Sequence, residues 1–144
     1  PGRVQARLVG GVSVDRRKLE PFRSVATFMG HIPRSEMPDQ YKWADLFCFP
    51  SITEGSATVT YEALASGLPV ITTPNAGSIV QDGVDGFIVP IRDLAALADA
   101  IARYHEDRTL LARHQAAAVE SRARAGLDRY REDLERLVRD LAES

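Results

Sequence analysis

The sequence predicts an α/β fold built on an open, parallel, doubly wound sheet with helices on both faces, followed by a helical tail. Three observations carry this prediction. Short apolar runs alternate with helical patterns from Arg7 to Tyr104. The runs close in glycine- or proline-bearing turns. One of them, Leu46-Phe47-Cys48-Phe49, is apolar without interruption, as in a strand buried on both faces. A chain of 144 residues that is 44% hydrophobic and 26% charged has the length and balance of one globular domain.

Arg7-Leu8-Val9 before Gly10-Gly11 predicts a strand entering a tight turn, and Asp15 to Arg23 a short polar helical link. Val25 to Met29 is a second strand ended by Gly30. Ser35-Glu36 starts a short helix through Trp43, with Met37, Tyr41 and Ala44 at helical spacing. Leu46–Phe49 is stopped by Pro50-Ser51. Thr58 to Ser66 forms the next helix, with Gly67 at its C-cap and Pro69 barring continuation. Val70 to Thr73 is a fourth strand, Ser78 to Gln81 a brief helical turn, and Phe87-Ile88-Val89 a fifth strand. Asp93 caps a helix over Leu94–Tyr104, and Thr109 caps a run to about Ala125 that Gly126 breaks. Asp128 to Leu141 resumes the helix with Tyr130, Leu134, Leu137, Val138 and Leu141 apolar. This places a sheet-bearing domain at 1–108 and the helical tail at 109–144, packing on or crossing from the same domain.

Charge narrows the function classes. Residues 1–40 carry net +3, residues 41–100 net −5 with only Lys42 and Arg92 as bases, and residues 101–144 are balanced. The overall −2 lacks the basic excess of a nucleic-acid binder, so no nucleic-acid partner is expected. The tail arginines interleave with acids, the pattern of an ion-paired solvated face. One cysteine, Cys48, excludes an internal disulfide or a paired-cysteine metal site and suits a reducing, cytoplasmic setting; it reads as a buried small hydrophobe. No apolar run approaches the ~18–20 residues that span a bilayer. The chain opens Pro-Gly-Arg without an initiator Met, which points to a piece of something longer.

In parallel doubly wound sheets, ligands bind at the carboxyl ends of the strands. Here those ends are Gly10-Gly11, Gly30-His31, Pro50 through Gly55, and Thr73 through Gly77. An anion bound in the acidic centre needs donors other than side-chain bases. The start of the helix at Ser56, Ala57 and Thr58 offers them, through unpaired N–H groups and the positive end of the dipole. Two carboxylates flank it eight positions apart. On one helix they would diverge by about 80°, so Gly55 favours Glu54 in the loop and Glu62 within the helix. Glu62 lies in a run otherwise bound for burial and needs a partner; a pair of vicinal hydroxyls is one, each donating to the carboxylate. Glu54 would meet another hydroxyl or a developing positive charge. Thr58, Glu62 and Ser66 share one polar line, with Val59 and Ala63 turned to the sheet. His31 reads as a solvated loop histidine. Tyr41 and Trp43 read as helix–sheet packing, and nothing in the sequence assigns a role to His105 or His114.

The stretch from Phe49 to Ile71 resembles the Glu-x7-Glu signature of retaining nucleotide-sugar glycosyltransferases of the GT-B fold, the large group 1 family. Tyr41 to Ser51, Gly67-Leu68-Pro69-Val70-Ile71 and Asp82-Gly83-Val84-Asp85-Gly86-Phe87-Ile88-Val89 match its flanking blocks, over about Leu8 to Tyr104. The resemblance implies a Rossmann-like, donor-binding C-terminal half. Glu62 takes the ribose-binding position and Glu54 the position contacting the donor sugar, which makes Glu54 the catalytic candidate. Gly55, Ser56, Ala57 and Thr58 complete the donor site, with amides at Ser56, Ala57 and Thr58 facing sugar and phosphate. Many members carry an aromatic residue and a glycine where this chain has Ser56 and Ala57. The family's reaction retains anomeric configuration and needs neither metal nor cofactor, the nucleoside diphosphate sugar being a substrate; no Asp-x-Asp motif occurs here.

The same resemblance implies missing parts. Members carry an Arg and a Lys for the pyrophosphate just before the strand that here ends in Gly10-Gly11, and an N-terminal acceptor domain ahead of that. In the family's strand order the absent strand belongs between those of Leu8-Val9 and Leu46–Phe49, so this chain is expected to show an interrupted sheet with exposed edges. A separate acceptor domain or a partner chain would fill the gap. The fragment alone would bind weakly and catalyse nothing, and the full enzyme leaves room for peripheral membrane contact. A non-catalytic nucleotide-binding or assembly module, a sugar phosphorylase and a nucleotide-sugar epimerase use the same half-fold. They differ from a transferase in their need for phosphate, or in their indifference to acceptor or to Glu62.

Overall fold

The computed structural model describes residues 4–142, the side chains of 16, 122, 125, 127–130, 133 and 142 apart. In chain order it contains β1 (Ala6–Val9), β2 (Ala26–Gly30), α1 (Met37–Trp43), β3 (Phe47–Phe49), α2 (Thr58–Ala65), β4 (Val70–Thr72), β5 (Gly86–Ile88), α3 (Leu94–Glu106), α4 (Arg108–Glu120), α5 (Arg122–Ala125) and α6 (Leu127–Ala142). The predicted polar link is two 3-10 turns, Arg16–Lys18 and Glu20–Phe22. The turn foreseen at Ser78–Gln81 is instead a 3-10 turn at Pro74–Ala76, where a proline at the first position fixes the entry.

All strand pairing is parallel, as the alternation of strand and helix requires. The strands form two sheets, β1-β2 and β3-β4-β5. Among the described residues β1 pairs only with β2, and β3 only with β4, so each strand expected to border the gap ends its own sheet. The chain correspondingly forms two compact units, Pro1–Gln40 and Tyr41–Ser144.

In the first unit β1 is exposed along its whole length and β2 is half-buried. The two strands run in register from Ala6 opposite Ala26, with a bulge between Leu8 and Val9. The Gly10 amide donates to the Gly30 carbonyl, holding the two carboxyl ends together at 2.8 Å.

The second unit owns the core. β4 is central and buried throughout. Ile71 packs with Phe87, Val89, Ala100, Tyr104, Leu110 and Leu111, and Leu97 and Ile101 flank the cluster. α3 carries this apolar stripe because Asp93 caps it, accepting from the Ala96 amide at 2.9 Å. α4 starts two residues earlier than expected, since its cap is Asp107 (2.9 Å from the Leu110 amide) and Thr109 lies inside the helix. α4 packs on α2 and α3. His114, to which the sequence assigned no role, is wholly buried, shares a 2.8 Å hydrogen bond with Tyr104 and packs against Phe87.

Two burial expectations fail for physical reasons. Cys48 is exposed, because side chains alternate across a strand and Phe47 and Phe49 take the half-buried face of β3. Tyr41 is buried as expected, whereas Trp43 at the end of α1 is 42% exposed. On α2 the buried positions are Thr60, Ala63 and Leu64, with Val59 half-buried. Thr60 tolerates full burial by donating its hydroxyl to the Ala57 carbonyl at 2.7 Å. Among the described residues no helix is long and apolar enough to cross a membrane.

Candidate functional site

The loop after β3 and the start of α2 hold most of the residues singled out from the sequence. Glu54, Gly55, Ser56 and Thr58 are exposed, Ala57 is buried and Glu62 is half-buried one turn into α2. The neighbouring loop after β4 fixes this segment from beneath. The Glu54 amide donates to the Asn75 carbonyl at 2.9 Å, the Ala57 amide to the Ala76 carbonyl at 3.1 Å, and the Asn75 side-chain amide to the Ile52 carbonyl at 3.0 Å. The Thr73 hydroxyl donates to the Ser51 carbonyl. Gly77 is left-handed (φ 57°), and a Cβ there would stand 2.3 Å from the Gly55 carbonyl oxygen. Glycine is thus required where the two loops touch.

These bonds narrow the set of amides expected to face a ligand. The Ala57 amide is taken by Ala76, and the Thr58 amide turns back to the Ser56 carbonyl at 3.0 Å. Among the described residues the amides of Ser56 and Val59 donate to no acceptor. No side chain caps α2, and its first turn carries no acid. Among the described residues the positive end of the helix thus has neither a side-chain cap nor an acid in its first turn, which favours an anion there.

The two carboxylates differ in setting. Glu54 projects from the exposed loop, its Oε1 accepting from the Gly55 amide at 3.3 Å. Glu62 has the partner its burial demands inside the chain: the Tyr41 hydroxyl donates to Oε2 at 2.9 Å. The sequence identified Tyr41 as a packing residue and missed this bond, whose only trace was an aromatic residue with a polar tip placed ahead of a half-buried acid. On the same polar line, the Ser66 hydroxyl donates to the Glu62 carbonyl at 2.8 Å.

His31 is exposed in the first unit. A cavity of ≈ 280 Å³ in that unit, lined by Val12, Val14, Leu19, Arg23, Phe28 and Gly30, shares no residue with the loop–helix site. Among the described residues no three His, Cys, Asp or Glu side chains converge as a metal site would require.

Known proteins resemble this chain in sequence and in fold. A D-inositol 3-phosphate glycosyltransferase of Kribbella flavida is 36% identical over 85 residues, 58% of this chain and 20% of its own length. A UDP-Gal:alpha-D-GlcNAc-diphosphoundecaprenol alpha-1,3-galactosyltransferase of Escherichia coli is 32% identical over 79 residues, 54% of this chain and 20% of its own. The chain spans a fifth to about a quarter of the curated relatives it matches. Among solved structures, sucrose-phosphate synthase from Thermosynechococcus elongatus superposes with TM-score 0.75 at 28% identity, over 97% of this chain and 39% of that one. Anabaena HepE, solved in complex with UDP, shares the fold with TM-score 0.73 at 24% identity, over 86% of this chain and 37% of its own. The family model of the glycosyl transferases group 1 matches residues 2–107, a span that holds both sheets, both carboxylates and the start of α2. The chain therefore belongs to the group 1 glycosyl transferases.

Proposed function

We propose that this chain is the donor-binding portion of a retaining glycosyltransferase, which moves a sugar from a nucleoside diphosphate sugar to an acceptor hydroxyl. One observation carries the reading: the uncapped, acid-free start of α2 lies between two carboxylates of contrasting setting, on a loop braced by a second loop. The open amides of Ser56 and Val59 receive the diphosphate, with Gly55 allowing close approach and Thr58 exposed beside it. Ala57 acts through its buried position, keeping the loop seated on Ala76. Glu62 accepts the two ribose hydroxyls. Glu54, at the exposed rim, is the catalytic candidate: it accepts from a donor-sugar hydroxyl and faces the positive charge that develops as the bond to the diphosphate breaks.

The reaction proceeds without metal or cofactor, the helix start supplying the charge complement that a cation would otherwise provide. The name of the E. coli relative, which specifies UDP-Gal, supports a nucleotide sugar as donor. A separate acceptor domain or partner chain completes the enzyme, contributing cationic groups for the pyrophosphate and a strand for the free sheet edges. Without it the 144 residues bind donor weakly and transfer nothing. The setting is cytoplasmic, with membrane contact left to the complete enzyme.

Ligand-observed NMR of the chain with UDP, GDP, ADP and their sugar conjugates, beside Glu62→Ala, tests this. Loss of the ribose contacts is expected to weaken binding by about 1.5–3 kcal/mol, or roughly ten- to a hundredfold. Binding of equal strength in the variant would remove Glu62 from the site.

A further inference from the structure

We propose that Tyr41 is a positioning residue for nucleotide recognition, its hydroxyl aiming the Glu62 carboxylate at the ribose. The inference deepens the reading of Glu62 given above and rests on it.

The Tyr41 hydroxyl donates to Glu62 Oε2 at 2.9 Å, across 21 residues of sequence and between two helices. What makes the bond an orienting device is the immobility of its donor. The Tyr41 side chain is 5% exposed and its ring stands edge-on to Phe47, with centroids 5.9 Å apart and planes at 71°. Phe47 is in turn stacked on Phe49 within β3 (6.1 Å). A phenol held in this way places its oxygen at one point. Glutamate has three rotatable side-chain bonds, and a fixed donor on Oε2 removes part of that freedom before a ligand arrives. An ionised carboxylate offers about four acceptor positions on two oxygens. Tyr41 occupies one of them, on Oε2, and a vicinal diol requires two.

A mere stitch between α1 and α2 would use the same bond, but it predicts a different result. Positioning acts only on the part of the ligand that Glu62 touches, whereas a stitch acts on the whole site. Tyr41→Phe keeps the ring and its packing and removes one oxygen.

The test compares wild type, Tyr41→Phe, Glu62→Gln and the double variant, using whichever of UDP, GDP or ADP binds wild type most tightly and its 2′,3′-dideoxy analogue. Wild type should favour the ribonucleotide by about tenfold or more. Tyr41→Phe should lower ribonucleotide affinity by roughly three- to tenfold, leave the dideoxy affinity unchanged, and add nothing in the Glu62→Gln background. An unchanged ribose preference in Tyr41→Phe, or an equal fall for both ligands, overturns the positioning role. The reading of Glu62 survives that result if Glu62→Gln abolishes the preference. A preference that persists in Glu62→Gln, or its absence in wild type, overturns both.

Discussion

Among the described residues Arg92 is the one non-glycine with a positive φ, at 61°. It sits immediately before Asp93, the cap of α3, where the chain leaves β5 and must turn sharply. The left-handed conformation costs an ordinary residue about 1–2 kcal/mol, and glycine returns part of that relief through its own lost freedom. Arg92→Gly should therefore raise stability by up to about 1 kcal/mol, read as a rise of a few degrees in the thermal midpoint with the Asp93 cap intact. A lower midpoint would mean that the arginine side chain makes a compensating contribution. Much at this scale was open to sequence reasoning: Asp93 as a cap, Glu54 in a loop and Glu62 in a helix all follow from local chemistry. The Tyr41 bond does not, because it depends on where two separate helices come to rest.

At the scale of elements, the contact between the loops after β3 and β4 sets the geometry of the site. Gly77 allows it, with the Gly55 carbonyl where a side chain would begin. In Gly77→Ala both the backbone conformation and the approach become unfavourable, and the 54–56 segment must move. The expected cost is about 1–3 kcal/mol in chemical denaturation, with nucleotide binding weakened beyond what the stability loss explains. Binding at wild-type strength in a folded variant would separate the brace from the site. The sequence reading identified every strand to within two residues, since apolar runs closed by Gly and Pro are strong local signals. Helix starts were harder: Thr109 and Asp107 are both competent caps, and the choice falls to the residue whose carboxylate reaches the Leu110 amide.

For the molecule as a whole, the buried His114 links stability to pH. Its burial and the neighbouring Arg113 hold the imidazole below its ordinary range, while the Gly83 backbone and Asp85 pull the other way and are outweighed. The unfolded chain then binds the proton first. Stability is fully present above the unfolded value near 6.5 and is lost as the pH falls from there towards the folded value. Urea midpoints measured from pH 7 to pH 5 should fall more steeply in wild type than in His114→Gln; equal slopes would assign the acid sensitivity to other groups. The burial of His114 does have a sequence mark that the reading passed over, since it lies at helical spacing from Leu110, Leu111 and Ala118 on the face that α4 turns inward. The division into two sheets was readable, but only through the family's strand order. It has a further consequence for handling the protein. Phe47-Cys48-Phe49 presents an unpaired backbone edge with no charge of its own, and the nearest safeguards are Asp45 before it and Pro50 after it. β1 has Arg7 within its own edge. Self-association of this chain at high concentration should thus begin at β3, and a charge placed in its edge, as in Cys48→Lys, should raise the concentration at which light scattering sets in.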